Sequence, residues 1–318
     1  MEFEKRHLGK TDIEVTPIGL GVMQFAGGSG LFGKLFPVLL QDEKDAIVQT
    51  ALDGGINWFD TAEMYGFGAS EQALAHGLKA SGKESGEVVI ATKWMPLFRS
   101  AGNISKTVHD RIRYLDDFSI DLYIVHQPWS WSSIESQMDA MADLIEAGYI
   151  RSVGVSNFNA VQMRRAHAAL EKRGLPLSSN QMQYSLLNRK IETSGVVAVA
   201  KELGITITAY TPLGYGLLTG KYHQDPGLFE QSSRAFMLKR KFEGSRPIVS
   251  ALEEIAENYD ATPGQVALNW VIHFQGDTVV TIPGATKVEH ARQSAGAMKF
   301  KLSDAELNRL DQLSRAFL

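Results

Sequence analysis

The sequence predicts an α/β fold, a (β/α)8 TIM barrel with an N-terminal β-hairpin and extra C-terminal helices. Three observations carry this. Eight short apolar runs of β type recur along the 318 residues. Helix-period segments separate them, the alternation of a parallel sheet. The count of eight favours closure into a barrel, with an open doubly wound sheet as the competing architecture. Barrels commonly reach this length as one unit, and no linker, repeat or low-complexity segment interrupts the chain, so residues 1–318 are read as a single domain.

The elements follow in order. FEKRHLG and IEVTPIGLG flank the polar interval Lys10-Thr11-Asp12 and read as a hairpin, expected across the bottom of the barrel. Strands are expected at Ile18–Val22, Ile56–Ala62, Val88–Trp94, Leu122–His126, Ser152–Ser156, Gln181–Tyr184, Ile205–Tyr210 and Val279–Pro283. Helices are expected at about 41–54, 69–81, 105–118, 134–147, 160–173, 193–203 and 288–297. Three segments fall outside the repeat. Residues 214–247, long and containing Gly and Arg, read as a loop able to close over a cofactor. Residues 249–274 read as two helices, the second opened by Thr262 as cap and Pro263 at the first helical position. Ser303-Asp304-Ala305-Glu306 is a capping box that opens a C-terminal helix.

Composition narrows the function. Apolar residues at 44% and charged residues at 21% allow a large core in a soluble protein. A formal net charge of −4 argues against general binding to nucleic acid or anionic membrane, which needs a basic excess. A local basic site for one phosphate stays open. The absence of cysteine excludes disulfides, thiolate nucleophiles and thiolate metal sites. The opening MEFEKRHLGK lacks an apolar signal core, and no apolar run reaches spanning length, so a cytoplasmic protein is expected.

Gly28-Ser29-Gly30-Leu31-Phe32-Gly33 matches the dinucleotide pattern G-x-G-x-x-G. That pattern works when its third glycine opens a helix. Here Pro37 intervenes and the next helix starts near Asp42, so a Gly-rich loop is expected instead. A stronger constellation lies at three successive strand ends: Asp60 with Tyr65 just beyond, then Lys93, then His126. Barrel strands converge at their C-terminal mouth, which brings these four side chains together. Singly, each has an ordinary structural explanation. Together they compose a proton donor. The Lys ammonium is expected to lower the Tyr pKa, Asp60 to hold the Lys charged, and His126 to donate a hydrogen bond to a developing alkoxide.

Phe59-Asp60-Thr61-Ala62-Glu63-Met64-Tyr65-Gly66 resembles the signature of the aldo-keto reductases, Asp-x4-Tyr spacing included. Ala91-Thr92-Lys93 and Val125-His126-Gln127-Pro128 are similar to that family's next two motifs. The resemblance runs from the hairpin to about Phe300. It implies that Asp60, Tyr65, Lys93 and His126 form the catalytic tetrad of an NADP(H)-dependent reductase of aldehydes or ketones, acting on a small-molecule carbonyl or alcohol and needing no metal. NAD(H) stays open as the cofactor. The same resemblance implies cofactor contacts at Gly21, Val22 and Met23 and places the nicotinamide against Ser156, Asn157 and Gln181, with Tyr210 stacked on its ring. It places the pyrophosphate along Thr211, Leu213, Gly216 and Leu217, and the adenosine along Gly284, Thr286, Lys287, His290 and Ser294. Many relatives carry a Gln, then Glu and Asn, on that last helix, where this chain has His290, Gln293 and Ser294. Lys287, His290 and Arg292 are candidates for a 2′-phosphate, Arg292 being equally well a solvated helix-face charge.

Met23, Gln24, Met64, Trp94 and Trp129 lie just past strand ends and are candidate substrate contacts. An apolar, aromatic pocket suits aromatic or heterocyclic aldehydes. The segments Arg173–Leu177 and Leu218–Tyr222 are similar to pyridoxal reductases within the family. Two alternatives remain: a nucleotide-binding regulatory subunit resembling potassium-channel β subunits, and a barrel lyase using Lys93 as a Schiff-base amine.

Overall fold

Neighbouring strands pair in sequence order throughout the computed structural model, which describes residues 3–29, 37–232 and 235–318. Strands β1 (Arg6–His7) and β2 (Glu14–Val15) form the antiparallel hairpin, in the register Arg6 to Val15. Eight parallel strands follow: β3 (Leu20–Gly21), β4 (Trp58–Asp60), β5 (Val89–Trp94), β6 (Ile120–Val125), β7 (Ile150–Ser156), β8 (Leu177–Gln183), β9 (Thr206–Tyr210) and β10 (Val279–Thr281). Their order in the sheet is their order in the chain. Parallel bridges from Ile18 to Thr281 and from Gly21 to Gly284 join the first strand to the last, and the sheet closes.

Each strand's period of two sorts its side chains between barrel interior and helix layer. Trp58, Ala91, Leu122, Ile124, Val280 and Ile282 pack inward with Leu8, Ile13 and Val15 of the hairpin. Phe59, Ile90, Trp94, Tyr123 and Val125 pack outward against the helices. The hairpin stops the bottom of the barrel, its Gly9 N–H bonded to Thr206 Oγ1 at the start of β9. Trp58 fits there because position 19 is glycine: a Cβ would stand 2.3 Å from the indole. The Trp58 indole N–H donates to Thr16 O at 2.9 Å.

The outer helices are α1 (Gln41–Asp53), α2 (Ala69–Ala80), α3 (Ile104–Leu115), α4 (Ile134–Glu146), α5 (Ala160–Glu171), α6 (Lys190–Thr193) and α7 (Val196–Leu203). Then come α8 (Lys221–Gln224), α9 (Pro226–Glu230), α10 (Ala235–Glu257), α11 (Pro263–His273), α12 (Val288–Gly296) and α13 (Asp304–Ser314). The cap expected at Thr262 and the capping box expected at Ser303 are both formed, and Thr262 completes a box of its own with Gln265. The glycine pattern at 28–33 lies partly outside the described residues, from position 30 onward, and α1 opens only at Gln41.

One expectation is corrected. The segment 214–247 is not an open loop. It holds 3₁₀ turns over Gly214–Thr219, then α8, α9 and the first half of α10. Gly244 and Pro247 disguise a helix whose buried Leu238, Ser245, Ile248, Leu252 and Ile255 follow a helical stripe. Stacking of Phe242 on Phe229, 4.2 Å between centroids, and on His223, 4.6 Å, anchors its start. Among the described residues no helix is long and apolar enough to cross a membrane.

Candidate active site

Strand alternation that points Trp58 into the bottom of the barrel points Asp60, two residues on, into its top. In the same way Ala91 precedes Lys93, and Ile124 precedes His126. Lys93 and Asp60 are buried, at 0% and 2% exposure, and their Nζ–Oδ1 separation is 2.5 Å. Lys93 Nζ also donates to Thr61 O at 2.7 Å and to the Tyr65 hydroxyl at 3.4 Å. The Tyr65 and His126 rings meet edge to face, 5.8 Å between centroids. All four residues of the constellation therefore come together at the barrel mouth.

A second group continues from it. Gln181 Nε2 donates to Asp60 Oδ2 at 2.8 Å, and the Ser156 hydroxyl donates to Gln181 O at 3.0 Å. Asn157 Nδ2 donates to Ser156 Oγ, and the Tyr210 hydroxyl to Asn157 Oδ1, each at 3.0 Å. Asn157 is held at φ +62°, a left-handed conformation unusual outside glycine. Its own backbone N–H donates to Gln181 O at 3.0 Å, which fixes the turn. Side-chain amides and hydroxyls from β7, β8 and β9 thus form a polar ledge beside Lys93 and Tyr65. It has the mixed donors and acceptors that a carboxamide requires.

Electrostatics set the protonation states. Burial pushes the Tyr65 hydroxyl above its ordinary pKa of 10.0, Lys93 opposes this, and Asp60 adds to it. The net direction is up, the reverse of the expected lowering, because desolvation of the hydroxyl outweighs the nearby ammonium. Tyr65 therefore keeps its proton at neutral pH. Burial works against the charge on Lys93, but Asp60 and Tyr65 outweigh it and raise its pKa. Burial, then the Lys93 charge, holds His126 down at about 3, so its imidazole is neutral.

Further round the mouth, Tyr215 and Gly216 turn through left-handed conformations at φ +60° and +90°. A Cβ on Gly216 would lie 3.4 Å from the Lys221 ammonium, so that cation stands over the half-buried glycine backbone, an arrangement suited to phosphate. Lys287 and His290 are exposed at the N-terminal end of α12, and Thr286 N–H donates to His290 Nδ1 at 3.3 Å. Leu217 and Ser294 are buried, while Thr211 and Leu213 are half-buried. Arg292 pairs with Glu289 along its own helix, which favours the solvated-charge reading. The run of residues fits an extended dinucleotide, with an amide ledge at one end and cations at the other.

The candidate substrate contacts divide. Met23 and Met64 are half-buried and Trp129 is 59% exposed. Gln24 lies against Gly284, where a Cβ would fall 2.2 Å from its amide nitrogen, so it faces the adenosine stretch. Trp94 is a correction: it is fully buried in the helix-facing core, its indole N–H bonded to Asn103 Oδ1 at 3.0 Å. The alternation that turns Lys93 inward turns Trp94 away. Sequence reasoning passed over Glu63, Phe98, Arg99 and Trp131, which the loops after β4, β5 and β6 carry to the same mouth. Their spacing past the strand ends was the available signal.

Residues 17–315 match the model of the aldo/keto reductase family. The chain belongs to that family. It is 34% identical over 319 residues to the chloroplastic pyridoxal reductase of Arabidopsis thaliana, covering 95% of this chain and 84% of that one. It is 33% identical over 286 residues to the Schizosaccharomyces pombe aldo-keto reductase yakc [NADP(+)], covering 85% and 82%. Among solved structures it superposes on a thermostable aldo-keto reductase, Tm1743, in complex with epalrestat, with TM-score 0.78 and 29% identity over 98% and 99% of the two chains. It superposes on a glycerol dehydrogenase from Gluconobacter oxydans with TM-score 0.81 and 26% identity over 100% and 97%. As an aldo-keto reductase the chain is an oxidoreductase of small carbonyl compounds.

Proposed function

We propose that this aldo-keto reductase reduces an aldehyde or ketone to the alcohol with NADP(H), and that Tyr65 is the proton donor. The observation that carries this is the chain Asp60–Lys93–Tyr65, with Lys93 Nζ 2.5 Å from the carboxylate and 3.4 Å from the phenol. A carbonyl oxygen between the Tyr65 hydroxyl and the neutral His126 ring meets two uncharged donors. Such donors strengthen as negative charge grows on the oxygen. Tyr65 then passes its proton to that oxygen, and the resulting phenolate is stabilised by Lys93, whose charge Asp60 holds in place.

The nicotinamide, when bound, supplies the hydride. Ser156, Asn157 and Gln181 would hold its carboxamide, Tyr210 would cover one ring face, and Gly21, Val22 and Met23 would border the ring. Thr211, Leu213, Gly216 and Leu217 would follow the pyrophosphate, and Gly284, Thr286, Lys287, His290 and Ser294 the adenosine. The name of the yeast relative, with its NADP(+), supports that cofactor. The Schiff-base alternative fares worse, since Lys93 already gives hydrogen bonds to Asp60, Thr61 and Tyr65 and is held charged rather than as a free amine.

In Tyr65→Phe, NADPH should still bind, as read by quenching of tryptophan fluorescence, while aldehyde reduction falls by about 10²- to 10⁴-fold. Unchanged turnover would remove Tyr65 from the donor role. Rapid multiple turnover of an aldehyde by the wild type would count against a purely regulatory subunit. For the cofactor, Lys287→Ala should weaken NADPH much more than NADH, and equal wild-type affinities for both would defeat the 2′-phosphate argument.

A further inference from the structure

Loops after β4, β5 and β6 are fastened to one another by a run of charged side chains that plays no part in the proton transfer. Glu63, two residues before Tyr65, is buried. Its Oε1 accepts from Met95 N–H at 2.5 Å and from Arg99 Nη1 at 2.6 Å, and its Oε2 accepts from Arg111 Nη1 at 2.8 Å. Arg111 Nε lies 2.9 Å from Glu71 Oε2, and Glu71 Oε1 accepts from Thr92, the neighbour of Lys93, at 2.6 Å. At the outer end, the Arg99 backbone carbonyl accepts from Trp131 N–H at 3.0 Å and from Ser130 Oγ at 2.9 Å. Arg99 therefore grips the Tyr65 loop with its guanidinium and the loop after β6 with its carbonyl.

What this strap presents is an aromatic rim. Phe98 and Trp131, on either side of the Arg99 junction, are 70% and 75% exposed, with ring centroids 6.3 Å apart. Trp129 lies on the same loop as Trp131. Phe98 is held at φ +58°, a strained conformation for a bulky residue. Large aromatic rings exposed together mark a binding surface, and open faces receive flat apolar groups by stacking. The occupant follows from continuity: these loops spring from the ends of the strands that carry Lys93 and His126.

We propose that Arg99 is a positioning residue for substrate specificity, bridging the Tyr65 loop through Glu63 to the loop bearing Trp131, so that Phe98 and Trp131 form an outer subsite for the flat, aromatic end of a carbonyl substrate. This rests on the reductase reading. It adds that aromatic aldehydes extending outward from the carbonyl are favoured over short aliphatic ones.

The test compares 2-naphthaldehyde with propanal at saturating NADPH. Arg99→Ala should raise KM for 2-naphthaldehyde by about tenfold, the scale of a lost aromatic contact. Its kcat for 2-naphthaldehyde, its kcat/KM for propanal and its NADPH dissociation constant should stay within about twofold of wild type. Arg99→Lys, which keeps a cation for Glu63, should recover part of the KM. Phe98→Ala and Trp131→Ala alter exposed rings and should reproduce the KM effect in a folded protein. Equal losses on both aldehydes in Arg99→Ala, or unchanged KM in both ring variants, would overturn the subsite while leaving the reductase reading intact. A wild type that binds NADPH but reduces neither aldehyde would overturn the reductase reading itself, and the subsite with it.

Discussion

His126 is neutral for a physical reason that makes a prediction about pH. Burial and the nearby Lys93 ammonium lower its pKa from 6.5 to about 3. The stability tied to its neutral form is fully present above 6.5 and is lost as pH falls through about 3. Burial moves Tyr65 the other way, above 10.0, so its proton is in place across the neutral range. The kcat of carbonyl reduction should therefore be flat from about pH 5 to about pH 8, with no inflection at the ordinary imidazole value. A pH–rate profile measured with saturating cofactor checks this. An inflection near 6.5 that disappears in His126→Gln would show that the imidazole titrates in its ordinary range and would overturn the neutral-His126 argument.

Helices α2 and α3 matter to the site through two residues that face one another, Glu71 and Arg111. Glu71 is fully enclosed, and burial raises its pKa from 4.5 to about 7, with Arg111 and Thr92 opposing the shift and Glu63 adding to it. A raised acid contributes stability that is fully present below about 4.5 and lost as pH rises through about 7, on the order of 3 kcal/mol at most. Urea midpoints of the wild type should accordingly fall between pH 5 and 8 by more than those of Glu71→Gln, which has nothing to ionise there. Parallel slopes would exclude Glu71 as the titrating group. Neither partner was legible in the sequence, because a Glu and an Arg forty residues apart give no periodic signal. The strands were legible where apolar residues alternate with small ones, as in Val89–Trp94. They were less so in β8, which begins at Leu177 rather than near Gln181, since its opening serines and asparagine look like loop. Two of those buried side chains are satisfied by neighbouring backbone, Ser178 Oγ on Val153 O and Asn180 Nδ2 on Phe158 O. Local propensity also failed in α10, where packing of the aromatic cluster overrides Gly244 and Pro247. The four-residue constellation at the mouth was readable because strand ends converge by topology. The glutamate–arginine strap behind it depends on side-chain reach, which the order of residues does not encode.

At the scale of the whole molecule, the barrel is closed by backbone pairing, and a buried cation ties its C-terminal helix to the loop after β8. Arg189, between β8 and α6, is 1% exposed. It donates to Glu192 through Nε and Nη2 at 2.7 Å each, pairs with Asp311 Oδ1 at 2.7 Å, and reaches Asp311 O and Ser314 Oγ at 2.9 Å each. Its guanidinium lies over Trp270 and Phe274 of the α11 end, 5.1 and 5.0 Å from the ring centroids. Elements more than a hundred residues apart therefore meet at one side chain. The expected capping box sets where α13 starts, and Arg189 sets where it rests. Replacing Arg189 by Met keeps much of the volume and the apolar contact with the indole, but leaves the partly buried Glu192 and Asp311 facing each other without a cation. The cost should be about 3–5 kcal/mol, the usual penalty for removing one member of a buried pair. Urea unfolding measures the total. Hydrogen exchange locates it: amides of 304–314 should lose protection first, while those of β5 and β6 at the active site keep theirs. Adding Asp311→Asn and Glu192→Gln to Arg189→Met should return part of the loss, since the uncompensated carboxylates are then gone. If the triple variant is no more stable than Arg189→Met, the lost free energy lies in packing over Trp270 and Phe274, and the charges are incidental to how the helix is held.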